Sequence, residues 1–280
     1  MTLFTLPIQS SLQSFWSHLV HTYPWYITQI ALPFLSLIGT YTVCSIIGVW
    51  MERDQWIRKY KLQPKRTNSS EKLYHATIYL LKIYFLVILP LYASAFSFLH
   101  KFGFSTSEAL PDWRLMVVQL LFFFFMEDMS HYWLHRWLHT DFGYKHIHRV
   151  HHEFDAPTAL ATTYAHPAEI IILGLATFSG PLIVRPHMFV LFIWVNLRQL
   201  AALETHCGHS LPFSLDRIKL FGMQLFGGSS FHDHHHRFLD GAFASNFVFW
   251  DVLCGTDKGY FEREARLQRK RARLSKERSD

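Results

Sequence analysis

The feature that most constrains the fold is an uncharged apolar run over residues 27–50, ITQIALPFLSLIGTYTVCSIIGVW. As a helix rising 1.5 Å per residue, a run of this length spans the roughly 30 Å hydrocarbon core of a bilayer. Residues 1–26 contain neither Lys nor Arg, which argues against a cleaved signal peptide. We therefore expect residues 27–50 to anchor the chain in a membrane.

Two further apolar runs extend this membrane region. Residues 76–99 contain one charge, Lys82, which can snorkel, and Pro90, which a membrane helix tolerates as a kink. This run predicts a second span that forms a hairpin with the first. Residues 113–126 are too short to span alone, but they continue without a helix breaker into EDMSHYWLHRWLH. We expect one long helix there, apolar first and then rich in histidine.

A fourth apolar stretch, over residues 169–200, leaves two interpretations open. It is interrupted at Gly180-Pro181 and again at Arg185-Pro186, so its arms fall short of the roughly 20 residues that a full crossing needs. One interpretation is a shallow re-entrant hairpin. The other is a pair of kinked spans.

Charge sets the expected orientation. Residues 51–75 hold seven basic side chains against three acidic ones, so the positive-inside rule places this loop in the cytosol. The third helix then carries its histidine end to the cytosol as well. The tail over residues 258–280 has nine Lys and Arg against four acids. Such a tail is typical of a solvated cytosolic segment beside anionic lipid rather than of a nucleic-acid-binding surface.

Histidines form the second unusual feature, because fifteen of the nineteen lie between residues 131 and 236. Three clusters stand out: HxxxH at 135–139, HxxHH at 148–152 and HxxHH at 232–236. On a helix these offsets place the imidazoles of each cluster on one side. Of the histidines that lie between the clusters, His166 and His206 are added as candidates. The ten candidate metal ligands are His135, His139, His148, His151, His152, His166, His206, His232, His235 and His236.

Neutral imidazole binds iron, zinc, copper and nickel well. The eight clustered histidines exceed what one ion takes, which indicates two metals. With His166 and His206 added, each ion would have four or five nitrogens and keep one position open for a reactant. Packing alone does not explain the clusters, because each buried imidazole needs a hydrogen-bond partner or a metal. A pH-sensing face is the weaker alternative. Isolated histidines such as His187 are expected at the surface or the membrane interface.

Carboxylates beside the clusters are expected to orient imidazoles through their second ring nitrogen. The alternative for these acids is a simple ion pair with Arg136 or Arg149. His131 lies on the same helical stripe as the first cluster without being required by it. The five carboxylates are Glu127, Asp128, Glu153, Glu169 and Asp233.

Other kinds of site are excluded by spacing. The three cysteines are far apart with no CxxC pair, which argues against a disulfide framework or a thiolate metal site. The ExxH motif of the soluble di-iron carboxylate bundles is absent, as is the HExxH motif of zinc proteases. No GxGxxG, P-loop or GxSxG motif is present, so neither a bound nucleotide nor a serine nucleophile is indicated.

The three clusters also carry a family resemblance. HRWLH, HRVHH and HDHHH match the three histidine boxes of the membrane fatty acid hydroxylase/sterol desaturase superfamily. Within it the chain is most similar to the C4-methylsterol monooxygenases, through MEDMSHYWLHRWLH, YKHIHRVHHEFDAPTALATTYAHPAEIIILG, ETHCGHSLPFS and SNFVFWDVLCGTDKGY. The resemblance covers about residues 113–260. His234 and His209 depart from the usual pattern.

The resemblance implies a non-haem di-iron oxygenase of the endoplasmic reticulum membrane that uses O2. Electrons would come from NAD(P)H through cytochrome b5 and its reductase. The implied substrate is a sterol from the bilayer, whose C4-methyl group is oxidised to alcohol, aldehyde and carboxylic acid. A separate sterol C4 decarboxylase acts next, and a complex with it is expected. The implied iron ligands are the eight box histidines, with His206 as a ninth and His166 as a tenth or an orienting residue.

Together these features predict an all-α, multi-pass integral membrane helical bundle of about four spans or hairpin arms with a cytosolic histidine-rich di-metal cap. Residues 1–130 would form the N-terminal region and stem, 131–260 the hydroxylase region with the 169–200 hairpin, and 261–280 a basic cytosolic tail. One alternative is the same chemistry on another sterol position or on a fatty acyl or alkane chain. Another is a histidine-lined metal transporter or sensor, although transport sites usually lie near the bilayer midplane.

Overall fold

The computed structural model describes residues 7–221 and 223–277. The predicted all-α class is confirmed, because the only strands in these residues are β1 (Lys219–Leu220) and β2 (Met223–Gln224), which pair as a short antiparallel hairpin. The helices are α1 Pro7–Thr22, α2 Leu32–Arg53, α3 Ser70–Ile83, α4 Leu89–Leu99, α5 Trp113–Leu138, α6 Asp141–His146, α7 Pro167–Val184, α8 Met188–Thr205, α9 Gly228–Phe238, α10 Phe249–Cys254 and α11 Lys258–Lys276.

Four helical segments are long and apolar enough to cross a membrane: Ile27–Arg53, Ser70–Ala95, α7 and α8. A π-helical turn, Ile27–Ala31, leads directly into α2, so the first predicted span is one continuous segment. The second segment begins earlier than the apolar run, because the Ser69 hydroxyl caps α3 by accepting a hydrogen bond from the backbone N–H of Lys72. The expected multi-pass character is confirmed.

The predicted interruption at Gly180-Pro181 is wrong, since α7 continues through both residues. Pro181 has no N–H for the carbonyl of Thr177, four residues earlier, but Trp194 Nε1 of α8 donates to that oxygen at 2.8 Å. Gly180 lets α5 approach closely, because a Cβ there would lie 2.9 Å from Cδ1 of Phe123. The chain turns only after α7, where Arg185 has a left-handed φ of 53°. Two helices of 18 residues each, α7 and α8, favour the interpretation of residues 169–200 as a pair of spans.

The third predicted helix is also continuous, because α5 runs unbroken from its apolar start into the first histidine cluster. Asp112 caps it by accepting from the N–H of Arg114, and its most extensive packing is against α7. The C-terminal ends of α5 and α8 reach the same region of the molecule. There they meet a 3₁₀ helix, His148–Glu153, and the histidine-rich α9.

Candidate metal centre

Four short segments bring nine imidazoles together where α5, α8 and α9 meet. His135 and His139 lie at the C-terminal end of α5, and His206 is the residue that ends α8. The 3₁₀ helix contributes one HxxHH cluster and α9 the other. The nine form two groups, in each of which one ring nitrogen per residue lies within 4.8 Å of the others. The first group is His135, His139, His148, His152 and His235, and the second is His151, His206, His232 and His236.

Each HxxHH cluster contributes to both groups, although its three imidazoles were expected on one side of a helix. In α9, His232 and His236 join the second group and His235 joins the first. The reason is helical geometry: at about 100° per residue, positions i+3 and i+4 lie on opposite sides of position i. In the 3₁₀ helix the assignment is reversed: His148 and His152 belong to the first group, and His151 belongs to the second.

The spacing of the nitrogens fits metal coordination. Two imidazole nitrogens, each about 2.0–2.1 Å from one ion and at right angles, would be about 3 Å apart. In the first group the Nε2–Nε2 distances are 3.1 Å for His135–His148, 2.9 Å for His148–His152 and 3.1 Å for His139–His235. In the second they are 3.2 Å for His151–His206, 2.8 Å for His206–His232 and 3.0 Å for His232–His236.

In four of these imidazoles, a backbone carbonyl holds the opposite ring nitrogen and fixes the tautomer. A backbone carbonyl can only accept, so each of these Nδ1 atoms carries a hydrogen and leaves the Nε2 lone pair directed at the centre of its group. The Nδ1 donors and their carbonyl acceptors are His135 to Phe243 at 2.8 Å, His235 to Gly241 at 2.8 Å, His151 to Tyr164 at 3.1 Å and His206 to Ala202 at 2.8 Å. Nδ1 of His148 lies 2.9 Å from a carboxylate oxygen of Glu169.

Burial keeps these imidazoles neutral. It lowers the pKa of His139 and of His151 to about 4. The pKa values of the other seven group members are lowered too, first by burial and then mainly by the neighbouring imidazoles. Because protonation would consume the lone pair, a depressed pKa leaves the nitrogens available to a metal at neutral pH.

An apolar cavity of about 280 Å³ opens onto both groups. Its metal-facing wall includes His135 and His148 of the first group and His151, His206 and His232 of the second. Its other walls come mainly from candidate membrane-spanning helices, including Leu37 of α2, Leu173 of α7 and Val195 of α8. An apolar molecule inside this cavity would therefore have access to both groups.

Comparison with known proteins identifies the family. The fatty acid hydroxylase model matches residues 120–256, which contain all nine grouped histidines. Methylsterol monooxygenase 2-2 of Arabidopsis thaliana is 38% identical over 254 residues, covering 90% of this chain and 94% of that protein. Very-long-chain aldehyde decarbonylase GL1-11 of Oryza sativa subsp. japonica is also 38% identical, with the same coverage. The chain belongs to the fatty acid hydroxylase family.

Other relatives agree with this assignment. Methylsterol monooxygenase 2-1 of Arabidopsis thaliana is 35% identical over 268 residues, covering 90% of this chain and 97% of that protein. No solved structure is significantly similar to the chain. Membership of the fatty acid hydroxylase family, together with the two imidazole groups, makes this protein a metal-dependent oxygenase and an oxidoreductase.

Of the ten predicted ligands, His166 alone lies outside both groups. Its Nδ1 accepts a hydrogen bond from the N–H of Ala168 at 3.2 Å, so it caps the N-terminus of α7.

His131 is also outside the groups and lies 3.4 Å from Glu127. The extra His234 contacts Asp240 at 2.9 Å instead of a group member. His187, expected at the surface, is buried and donates from Nε2 to the carbonyl of Ser107.

Of the five carboxylates expected to orient imidazoles, Glu169 alone lies against a grouped histidine. Glu127 pairs with Arg198, not with the predicted Arg136 or Arg149. Asp128 accepts from the backbone N–H groups of residues 246 and 247, Glu153 accepts from the Tyr164 hydroxyl, and Asp233 accepts from Gln63.

Sequence reasoning missed the backbone carbonyls that orient four histidines, because main-chain acceptors carry no side-chain signal. Gly241 gives one indirect sign: its φ is 141°, and a Cβ there would lie 2.0 Å from the carbonyl oxygen of Thr256. That position therefore requires glycine, and its fixed path presents the carbonyl to His235.

Glu169→Gln is expected to lower metal affinity and turnover by about 10- to 100-fold, as loss of an orienting partner typically does. The amide keeps the size of the Glu169 side chain but changes the group that faces Nδ1 of His148, and it removes no ligand. Metal content after dialysis and initial rates measure the two effects. Glu153→Gln is the matched control, since this exposed neighbour of the second cluster contacts no grouped imidazole. Equal effects of the two substitutions would contradict an orienting role for Glu169.

Proposed function

We propose that this protein is a membrane di-iron monooxygenase that oxidises the C4-methyl group of sterol precursors with O2, through alcohol and aldehyde to carboxylate. The observation that carries the proposal is the arrangement of two all-imidazole groups on one apolar cavity whose other walls are membrane helices. The methylsterol monooxygenases, at 35% and 38% identity over 90% of the chain, support the substrate class.

The residues of the site would have three roles: binding the metals, orienting the imidazoles and binding the substrate. Iron held by the nine imidazoles would supply the activation of O2 and the oxidation of an unactivated C–H bond. Backbone carbonyls hold four of the imidazoles in the tautomer that a metal needs, and Glu169 lies beside a fifth, His148. The apolar side chains of α2, α7 and α8 bind the substrate body and exclude water from the centre.

The position of the site also suits its expected partners. We propose that the protein resides in the endoplasmic reticulum membrane with its histidine groups on the cytosolic side, as the basic residues between α2 and α3 favour. An apolar substrate would then enter from the bilayer. Electrons would arrive from NAD(P)H through cytochrome b5 and its reductase, and the carboxylated product would pass to a separate decarboxylase.

Reconstitution tests the function. Protein loaded with Fe²⁺ in lipid nanodiscs, supplied with cytochrome b5, its reductase and NADH, is expected to convert a 4,4-dimethylsterol into products carrying ¹⁸O from ¹⁸O2. Mass spectrometry identifies the alcohol, aldehyde and acid. Failure to oxidise any 4-methylsterol while b5 is reduced would contradict the proposal.

A second candidate function is the same site acting on a long-chain aldehyde, which the rice aldehyde decarbonylases favour. The same nanodiscs supplied with a very-long-chain aldehyde distinguish the two, since alkane formation without sterol oxidation would select this alternative.

A further inference from the structure

Among the described residues that line the cavity, Gln199 is the one amide side chain, and it has an unused hydrogen-bonding group. The amide nitrogen of Gln199 is buried, and it has no hydrogen bond of good geometry to any described residue. The Tyr84 hydroxyl lies beside the same amide, and it also lies 3.4 Å from Oγ1 of Thr163. Gln199 and Thr163 both line the cavity that the metal-binding histidines share.

Several other polar side chains in this wall have partners, and the buried Glu169 carboxylate lies 2.9 Å from Nδ1 of His148. The hydroxyls of Thr162 and Thr177 donate to backbone carbonyls of their own helical segments. Arg198 donates from Nε to Glu127 at 2.6 Å. An unpaired amide in an apolar cavity is unfavourable unless a bound molecule supplies the missing hydrogen bond. The geometry points to a bound molecule as the missing partner of Gln199.

The position of Gln199 limits what that partner is. Gln199, Ala202 and His206 follow the i, i+3, i+7 pattern along α8, and all three line the cavity. Gln199 therefore lies two helical turns, about 10 Å along the axis, before a residue of the second group. If the reacting carbon of a substrate lies at the histidines, an oxygen close to that carbon is within reach of the Gln199 amide. The far end of the same substrate is not.

A hydroxyl group fits this environment better than a hydrocarbon. The amide nitrogen donates, while the Tyr84 and Thr163 hydroxyls can accept or donate, and an alcohol does both. In a sterol, the ring hydroxyl is on the carbon next to C4, which carries the methyl group to be oxidised. A site built to bind a hydroxyl also rejects analogues that lack it, because its own polar groups are then left unpaired.

We propose that Gln199 binds the ring hydroxyl of the substrate and selects hydroxylated sterols over their deoxy counterparts; this inference rests on the proposed function. Gln199 is thus a specificity-determining residue that contacts substrate and is not a metal ligand. Its removal affects the discrimination between substrates more than it affects the chemistry.

The test compares a 4-methylsterol with the same sterol lacking the ring hydroxyl. Wild-type protein is expected to prefer the hydroxylated compound by about 10- to 100-fold in kcat/KM, and Gln199→Leu to reduce this preference to within about 3-fold. Most of the change is expected in KM. Gln199→Met, an unbranched apolar variant of similar length, should behave in the same way and guards against a folding defect of the leucine variant.

Gln119→Leu is the matched control, because Gln119 of α5 also has a buried, unpartnered amide atom but does not line the cavity. It should keep the wild-type preference. Full discrimination by both Gln199 variants would overturn the inference while leaving the proposed function intact.

A binding measurement keeps the two hypotheses separate. Affinities of the iron-loaded protein in nanodiscs for the two sterols, measured without O2 or an electron donor, should show the same preference and the same loss in the Gln199 variants. Oxidation of neither sterol by wild-type protein would contradict the proposed function alone. Equal affinity of the wild type for both sterols, or no sterol binding, would overturn the inference.

Discussion

Alanine at His235 or at His151 is expected to abolish turnover and to reduce the metal content of the protein. His235 belongs to the first imidazole group and His151 to the second, so each substitution removes a ligand from a different group. Loss of a ligand should cost more than the roughly 10- to 100-fold that loss of an outer partner costs. Both rings are buried. If the ion is lost with the ligand, the neighbouring imidazoles are left buried without a metal.

Metal per polypeptide, measured by mass spectrometry of the purified variants, distinguishes loss of a ligand from general damage. We expect about two ions in the wild type and a lower content in each variant, with the protein still in the membrane fraction. The control is His234→Ala, whose imidazole is in the same helix but contacts Asp240. Wild-type metal content and methylsterol oxidation in both the His151 and His235 variants would disprove the assignment.

Glu127→Ala is expected to destabilise the protein by about 3–5 kcal/mol, the usual cost of breaking a buried ion pair. Its fully buried carboxylate accepts from Arg198 Nε at 2.6 Å, from Asn246 Nδ2 at 2.9 Å and from Ser245 Oγ at 3.2 Å. Burial opposes ionisation, but Arg198 and His131 outweigh it and lower the pKa of Glu127 to about 2. The pair is therefore charged at neutral pH, and alanine leaves a guanidinium without its partner.

The apparent melting temperature in detergent is expected to fall by on the order of 10 °C. Glu127→Gln combined with Arg198→Gln should be more stable than Glu127→Ala, because no unpaired charge then remains. Glu262→Gln is the control: this exposed carboxylate lies 3.8 Å from Arg266, and such surface pairs contribute at most about 1 kcal/mol. Similar melting temperatures for the Glu127 and Glu262 variants would show that the buried pair contributes little.

Glu127 also shows where sequence reasoning was limited. Its closeness to the first histidine cluster suggested that it orients a ligand, whereas it joins α5 to α8 and to the loop before α10. Arg198 is 71 residues away and Asn246 is 119 residues away. Local spacing predicts which side chains share a helical face, but it carries no information about which distant segment packs against that face.

The membrane helices and the eight clustered histidines could be predicted because their signals are local, whereas His206 is isolated in the sequence. An uncharged run of sufficient length is helical in a bilayer, where every backbone polar group must be bonded within the segment. Residues four apart on a helix are neighbours, so the pairs 135/139 and 232/236 indicate shared ligation before any tertiary contact is known. The same local rules overestimated the interruption at Pro181, whose lost backbone bond is replaced from another helix by Trp194.

By itself, then, the sequence determined a helical membrane protein with clustered imidazoles, and it predicted two metals. Only the tertiary structure divided those imidazoles into groups of five and four, directed the middle member of each HxxHH cluster to the opposite group, and assigned His166 to a helix cap. It also supplied the carbonyls of residues 241 and 243 and placed Gln199 in the cavity wall. The physical reason is that each of these features depends on segments far apart in sequence meeting in space, with distances and orientations that no local spacing encodes.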